Sequence, residues 1–91
     1  MEQAAYLKIT GYVQGISLRY MIEQHANKNN LKGWVRNEPD GSVACCLTNP
    51  PEEIEKFISW LKSSAKGHLI KNISQTVVQA EAVYDSFTTI Y

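Results

Sequence analysis

An α+β sandwich of the split βαβ kind, an antiparallel sheet with two helices on one face, is the fold class this sequence predicts. Three observations point to it. The chain has 91 residues, 44% of them apolar, and no net formal charge, which suits one compact core and argues against disorder. Apolar positions recur with a period of two, then 3.6, then two in two successive runs, then 3.6, then two again. The second and third period-two runs are joined only by Glu38-Pro39-Asp40-Gly41, a link short enough to demand an antiparallel hairpin. Residues 1–91 are therefore expected to form a single domain.

Ala5 to Val13 alternates, with Leu7, Ile9 and Val13 on one parity and Lys8 and Thr10 on the other, as in a strand with one wet face. Gly11 and Gly15 punctuate its end. Ser17 to Asn30 predicts a helix. Leu18, Met21, Ile22 and Ala26 form its buried stripe, and Leu31 lies just beyond. Ser17 is its expected N-cap, and Asn29-Asn30 its stop, because Asn tolerates the left-handed region. Gly33 to Asn37 is a second strand and Glu38 to Gly41 a turn. Ser42 to Thr48 is a third strand with Val43, Cys45 and Leu47 on one face.

Asn49-Pro50-Pro51-Glu52-Glu53 opens a second helix with a capping residue, proline in the first turn, and acids near the positive end of the helix dipole. Ile54, Phe57, Ile58 and Leu61 supply its apolar stripe. Lys62 and Lys66 sit near its negative end, and Gly67 is the expected terminator. His68 to Asn72 reads as a connection, Ile73 to Val83 as a strand, Tyr84-Asp85-Ser86 as a turn, and Phe87 to Tyr91 as a short closing strand. The order is that of a ferredoxin-like fold with one terminal strand added. Repeats, low-complexity segments and linkers are lacking in the sequence.

Nine Lys plus Arg offset nine Asp plus Glu, so the chain lacks the electrostatic footprint of a nucleic-acid binder. No stretch approaches the ~18 apolar residues of a membrane span. Met1 to Ala5 is acidic and short, without the basic-then-apolar plan of a signal peptide, so a cytoplasmic protein is expected, binding neither nucleic acid nor membrane. Cys45 and Cys46 are adjacent and point to opposite faces of a strand, which makes a disulfide between them geometrically poor. They read as apolar-like strand residues in a reducing compartment. With His25 and His68 distant in sequence, they also make no zinc site.

Gly11-Tyr12-Val13-Gln14-Gly15-Ile16-Ser17-Leu18-Arg19 is the most informative stretch. It links a strand to a helix. Backbone N–H groups there can converge into a concave nest, and the helix start adds donors and positive dipole, so the place suits a phosphate. Arg19 could add a planar fork of donors matched to phosphate oxygens. Read alone, the same residues are also compatible with ordinary turn glycines and a surface arginine.

Gly11-x-Val13-Gln14-Gly15-Ile16-x-x-Arg19, followed by Gly33-Trp34-Val35-Arg36-Asn37 and Gly41-x-Val43, resembles the acylphosphatase family, from about Leu7 to the closing strand. The resemblance implies a ferredoxin-like fold and hydrolysis of a carboxylic–phosphoric anhydride to a carboxylate and inorganic phosphate. It implies that Arg19 binds the phosphate and that Asn37 orients the attacking water. It implies a cradle of backbone N–H groups from Gln14, Gly15, Ile16, Ser17, Leu18 and Arg19, with Gly15 allowing close approach. It also implies a small-molecule acyl phosphate as substrate and no metal or organic cofactor. A monomer is expected.

These residue types suit that chemistry. The leaving group is a weakly basic carboxylate, so little is asked of a general acid, and catalysis reduces to positioning and charge stabilisation. A carboxamide at Asn37 can accept from water without presenting a second negative charge to the phosphate, as an aspartate would. The sequence departs from the family pattern at Ser17 and Leu18, where a small or aromatic residue followed by an aromatic one is usual, at Ile16 for valine, and at Asn49 for glycine. Asn49 is expected to keep that turn by adopting a positive φ.

Other candidates have blander readings. His25 and His68 read as surface polar residues, Glu52, Glu53 and Glu55 as helix-start acids, and Trp34 and Trp60 as packing residues. Lys32 and Arg36 read equally as anion-steering groups and as solvated strand charges. Two further functions remain open on the same fold: a catalytically weak phosphate-ligand-binding module, and a protein-interaction module using exposed strand edges.

Overall fold

The computed structural model describes residues 3–15, 17–80 and 84–90. The elements run β1 (Gln3–Gly11), α1 (Leu18–Lys28), β2 (Gly33–Asn37), β3 (Val43–Leu47), α2 (Pro51–Ser63), a single 3₁₀ turn (Gly67–Leu69), β4 (Ile70–Gln79) and β5 (Phe87–Ile90). The strands form one sheet in the order β4-β1-β3-β2-β5. Four of them pair antiparallel, as expected. The fifth corrects the all-antiparallel expectation, because β5 pairs parallel with β2 and makes the sheet mixed. A hairpin link determines the direction of β3, but the direction of a terminal strand depends on which edge it reaches.

Both helices pack on one face of the sheet. Leu18, Ile22 and Ala26 of α1 and Ile54, Phe57 and Leu61 of α2 share one buried cluster with Leu7, Ile9, Val35, Cys45, Leu47 and Phe87. The helices also touch each other, where His25 stacks on Trp60 with ring centroids 3.7 Å apart. The opposite face has no helix, yet Ala44 and Cys46 are buried there too. The register explains it. Cys46 lies between Tyr6 and Trp34, and Ala44 between Lys8 and Arg36, so larger neighbours on both sides cover small residues. Tyr6 and Trp34 meet edge to face, and Arg36 lies 4.5 Å over the Trp34 ring. Cys45 is on the helix face, where burial pushes its thiol pKa up.

Several boundaries move from expectation. β1 ends at Gly11, and Val13 is buried from the loop beyond it. α1 ends at Lys28, and of the expected stop it is Asn30 that takes the positive φ, 57°. Asn49 neither caps α2 nor adopts a positive φ; Pro50 is at the cap, and Asn49 ties two loops together instead. Its Oδ1 accepts from Lys32 N–H at 2.8 Å and its Nδ2 donates to Asn30 O at 3.3 Å. Gly67 does not terminate α2, which stops at Ser63. It is needed because a Cβ there would lie 2.1 Å from Lys62 O, so the chain can fold back against the helix end and start β4 at Ile70. β4 ends at Gln79, and Ala80 of its expected continuation already lies outside the strand; the remainder, 81–83, like the expected end of the closing strand at Tyr91, falls outside the described residues.

Candidate active site

The β1–α1 loop is anchored on both sides. At its start β1 bulges between Thr10 and Gly11, and Gly11 has φ 128°. A Cβ at Gly11 would lie 2.3 Å from Leu69 O, so only glycine lets β4 come this close, and Tyr12 N–H donates to that same oxygen at 2.9 Å. In its middle, Val13 is buried in the core, and the Gln14 carboxamide reaches across to the β2–β3 turn. Gln14 Nε2 donates to Glu38 O at 2.8 Å and to Ser42 O at 2.9 Å.

That turn is itself held firmly. Glu38 N–H donates to Ser42 O at 2.9 Å. Glu38 Oε1 accepts from Arg36 Nε at 3.0 Å and from Tyr6 OH at 3.1 Å. Asp40 pairs with Lys8 at 2.7 Å and accepts from the Ser42 hydroxyl and amide. Lys8 first, then Ser42, hold the Asp40 carboxyl well below the usual carboxylate range. Burial, then Glu38, raises the Tyr6 phenol.

From Gly15 the loop turns into α1. Gly15 has φ 76° and Ser17 has φ 63°, so both are left-handed. Ser17 occupies the N-cap position, but its side chain makes no capping bond, which corrects the expected cap: a left-handed backbone aims the hydroxyl away from the first turn. Asp and Glu are missing from that first turn. The helix therefore presents its positive end without a carboxylate of its own.

A cleft of about 360 Å³ opens at this point, lined by Val13, Gly15, Ser17, Leu18, Arg19, Tyr20, Glu23, Asn37 and Thr89. The structure thus brings together Gly15, Ser17, Leu18, Arg19 and Asn37 of the expected site. Gln14 lies outside the lining and braces it, and Ile16 lies outside the described residues. Asn37 ends β2 on the helix-facing side, opposite buried Val43. Its Oδ1 is buried and has no hydrogen-bond partner among the described residues. A carbonyl oxygen left so costs about 1–3 kcal/mol unless something donates to it.

Glu23 and Thr89 line the cleft without belonging to the expected site. Glu23 stands one turn along α1 from Arg19, and Thr89 faces it from β5, its Oγ1 donating to Glu23 Oε2. An i, i+4 relation to Arg19 could have flagged Glu23; Thr89 needed the parallel placement of β5. Lys32 and Arg36 do not line the cleft. Arg36 is spent on Trp34 and Glu38, on the far face of the sheet. His25 lies between the helices, where burial and then Lys28 lower its pKa.

Comparison with known proteins agrees with the fold. The family model described as Acylphosphatase matches residues 5–89. A protein of Nocardioides sp. named Acylphosphatase is 42% identical over 60 residues, covering 66% of this chain and 61% of its own length. The match thus spans about three fifths of that relative. One of the same name from Paenarthrobacter aurescens is 35% identical over 83 residues, covering 91% of this chain and 88% of its own. The crystal structure of acylphosphatase from Bacillus subtilis superposes with a TM-score of 0.85 at 27% identity, covering 98% of this chain and 99% of that one.

Proposed function

Since the chain belongs to the acylphosphatase family, we propose that it hydrolyses small-molecule acyl phosphates to a carboxylate and inorganic phosphate, acting as a cytoplasmic monomer of one domain without metal or organic cofactor. The observation that carries this reading is the meeting of Arg19 and Asn37 in one cleft at the open N-terminus of α1. The phosphoryl group rests on loop and first-turn amides from residues 14–19, and the Arg19 guanidinium forks its oxygens. The anhydride then projects past Asn37.

In the reaction, the oxygen of a water molecule bonds to phosphorus as the bond from phosphorus to the acyl oxygen breaks. The electron pair of that bond leaves with the carboxylate, and the water proton passes to solvent. Asn37 lines the cleft, and its buried Oδ1, an acceptor without a partner among the described residues, is suited to take one hydrogen bond from this water and aim its lone pair. Negative charge on the phosphoryl oxygens is met by donors already in place, so little reorganisation is required.

Release of phosphate from benzoyl phosphate tests the reading. Arg19→Ala is expected to lower kcat/KM by about 10²–10³-fold and to weaken inhibition by inorganic phosphate. Asn37→Ala is expected to lower kcat by a similar factor with phosphate inhibition retained. Equal rates in the wild type and both variants would refute it. Phosphate binding without turnover in the wild type would point instead to a binding module.

A further inference from the structure

The cleft exceeds what a phosphoryl group fills, so part of it receives the acyl group. Beyond the loop and Asn37 that part is lined by Val13, Tyr20, Glu23 and Thr89. Glu23 is its charged member. It follows Arg19 by four residues on α1, so both side chains leave the same helix face, about 6 Å apart along the axis. Thr89 donates to Glu23 Oε2 from β5. The carboxylate is thereby oriented by an uncharged hydroxyl on the wall of the cleft, where its charge faces whatever enters.

A carboxylate beside an anion cradle works against ligands that carry further negative charge. It works in favour of ligands that carry positive charge at the end remote from phosphorus. We propose that this cleft selects acyl phosphates whose acyl group bears an ammonium or comparable N–H donor, with Glu23 as the residue that recognises it and Thr89 as the residue that positions Glu23. The inference rests on the hydrolytic reading above and names the substrate class of that site. Phosphate at the N-terminus of α1 and a cation one turn further along satisfy both charged walls at once. A single partly exposed ion pair of this kind changes affinity by up to about fivefold, and attraction for one ligand compounds with repulsion of the other.

The test compares kcat/KM for para-aminomethylbenzoyl, benzoyl and para-carboxybenzoyl phosphate, which differ mainly in charge at one end. The wild type is expected to prefer the ammonium-bearing probe over the carboxylate-bearing one by about tenfold or more at low salt, with benzoyl phosphate between them. Glu23→Gln, nearly the same in shape, is expected to bring that ratio to within about twofold of one. Thr89→Val is expected to lower the ratio part of the way. Raising the salt concentration is expected to compress the ratio in the wild type and leave it unchanged in Glu23→Gln, which a purely structural role for Glu23 would not do. A wild type that hydrolyses all three probes without preference, or a ratio that survives Glu23→Gln, overturns this inference and leaves the hydrolytic reading standing. A wild type that hydrolyses none of the probes overturns both.

Discussion

Removing the Gln14 carboxamide asks whether the loop is aimed by the β2–β3 turn. Its Nε2 makes two hydrogen bonds, at 2.8 Å to Glu38 O and 2.9 Å to Ser42 O, the first exposed and the second half-buried. Net worth per bond is about 0.5–1.5 kcal/mol, lower where water can replace the donor. Gln14→Ala should therefore cost about 1.5–2 kcal/mol, which in a domain of this size is a fall in Tm of roughly 6–15 °C. Gln14→Glu separates geometry from bulk. Its carboxylate would set acceptors against two carbonyl oxygens, so it should destabilise more than alanine does. Urea unfolding followed by the fluorescence of Trp34 and Trp60 gives the stability, and benzoyl phosphate kinetics give the consequence for the site. KM should rise in both variants, because a loop cut from its anchor spreads its amides over more orientations. Alanine within about 0.5 kcal/mol of wild type with unchanged KM, or a glutamate variant as stable as wild type, would refute the reasoning.

Glycines 15 and 33 should part company. Gly33→Ala places a Cβ 1.8 Å from Cys46 O and is expected to prevent folding, whereas Gly15→Ala meets nothing within 4 Å, costs about 1–2 kcal/mol for its φ of 76°, and mainly weakens phosphate inhibition; expression and a phosphate titration distinguish them. His25, with a pKa lowered chiefly by burial between the helices, binds its proton less well folded than unfolded. Unfolding free energy should be highest above the unfolded pKa of about 6.5 and fall as pH drops from there toward the lowered folded pKa, and His25→Gln should flatten that dependence in denaturant melts at pH about 7.5 and 5.5. Ser17→Asp should leave the fold intact, since Asp tolerates the left-handed region, and should weaken phosphate inhibition at least severalfold by placing a carboxylate at the helix start; an unchanged inhibition constant would contradict the placement of the anion.

The parts of this molecule that were legible in its sequence are those where local chemistry leaves one option. The hairpin follows from a four-residue link, and Ile54, Phe57 and Leu61 can be buried together only if 51–63 is helical. The loop from Gly11 to Arg19 declared itself through glycines that the backbone does need, at Gly11 and Gly15. What was not legible depends on distant partners. The beginning of β4 is an edge strand with polar residues on both faces, so Lys71 and Asn72 read as loop until pairing with β1 accounts for them. Ser17 has the composition of a cap, but the loop twists it left-handed. Asn49 was expected to answer for a missing glycine by its backbone, and answers with its side chain instead. Glu23 and Thr89 are 66 residues apart and meet only because β5 runs parallel to β2.

The chain has no net charge, yet it contains a cleft suited to an anion, and the two facts are compatible because charge is distributed by pairing. The two helix starts show how. The first turn of α2 carries Glu52 and Glu53, so its dipole is answered by its own side chains. The first turn of α1 carries no acid and no side-chain cap, so its dipole remains for a ligand. On the far face of the sheet, Lys8 is matched with Asp40 and Arg36 with Glu38, which removes two cations from competition for an anion. Those pairs also do structural work for the cleft. They stiffen the turn from which Glu38 O and Ser42 O hold Gln14, and through Gln14 the loop. On the reading proposed above, the anion site is a local excess of donors, created by satisfying charges elsewhere, and the carboxylate of Glu23 on the cleft wall limits how much negative charge a ligand can bring to it.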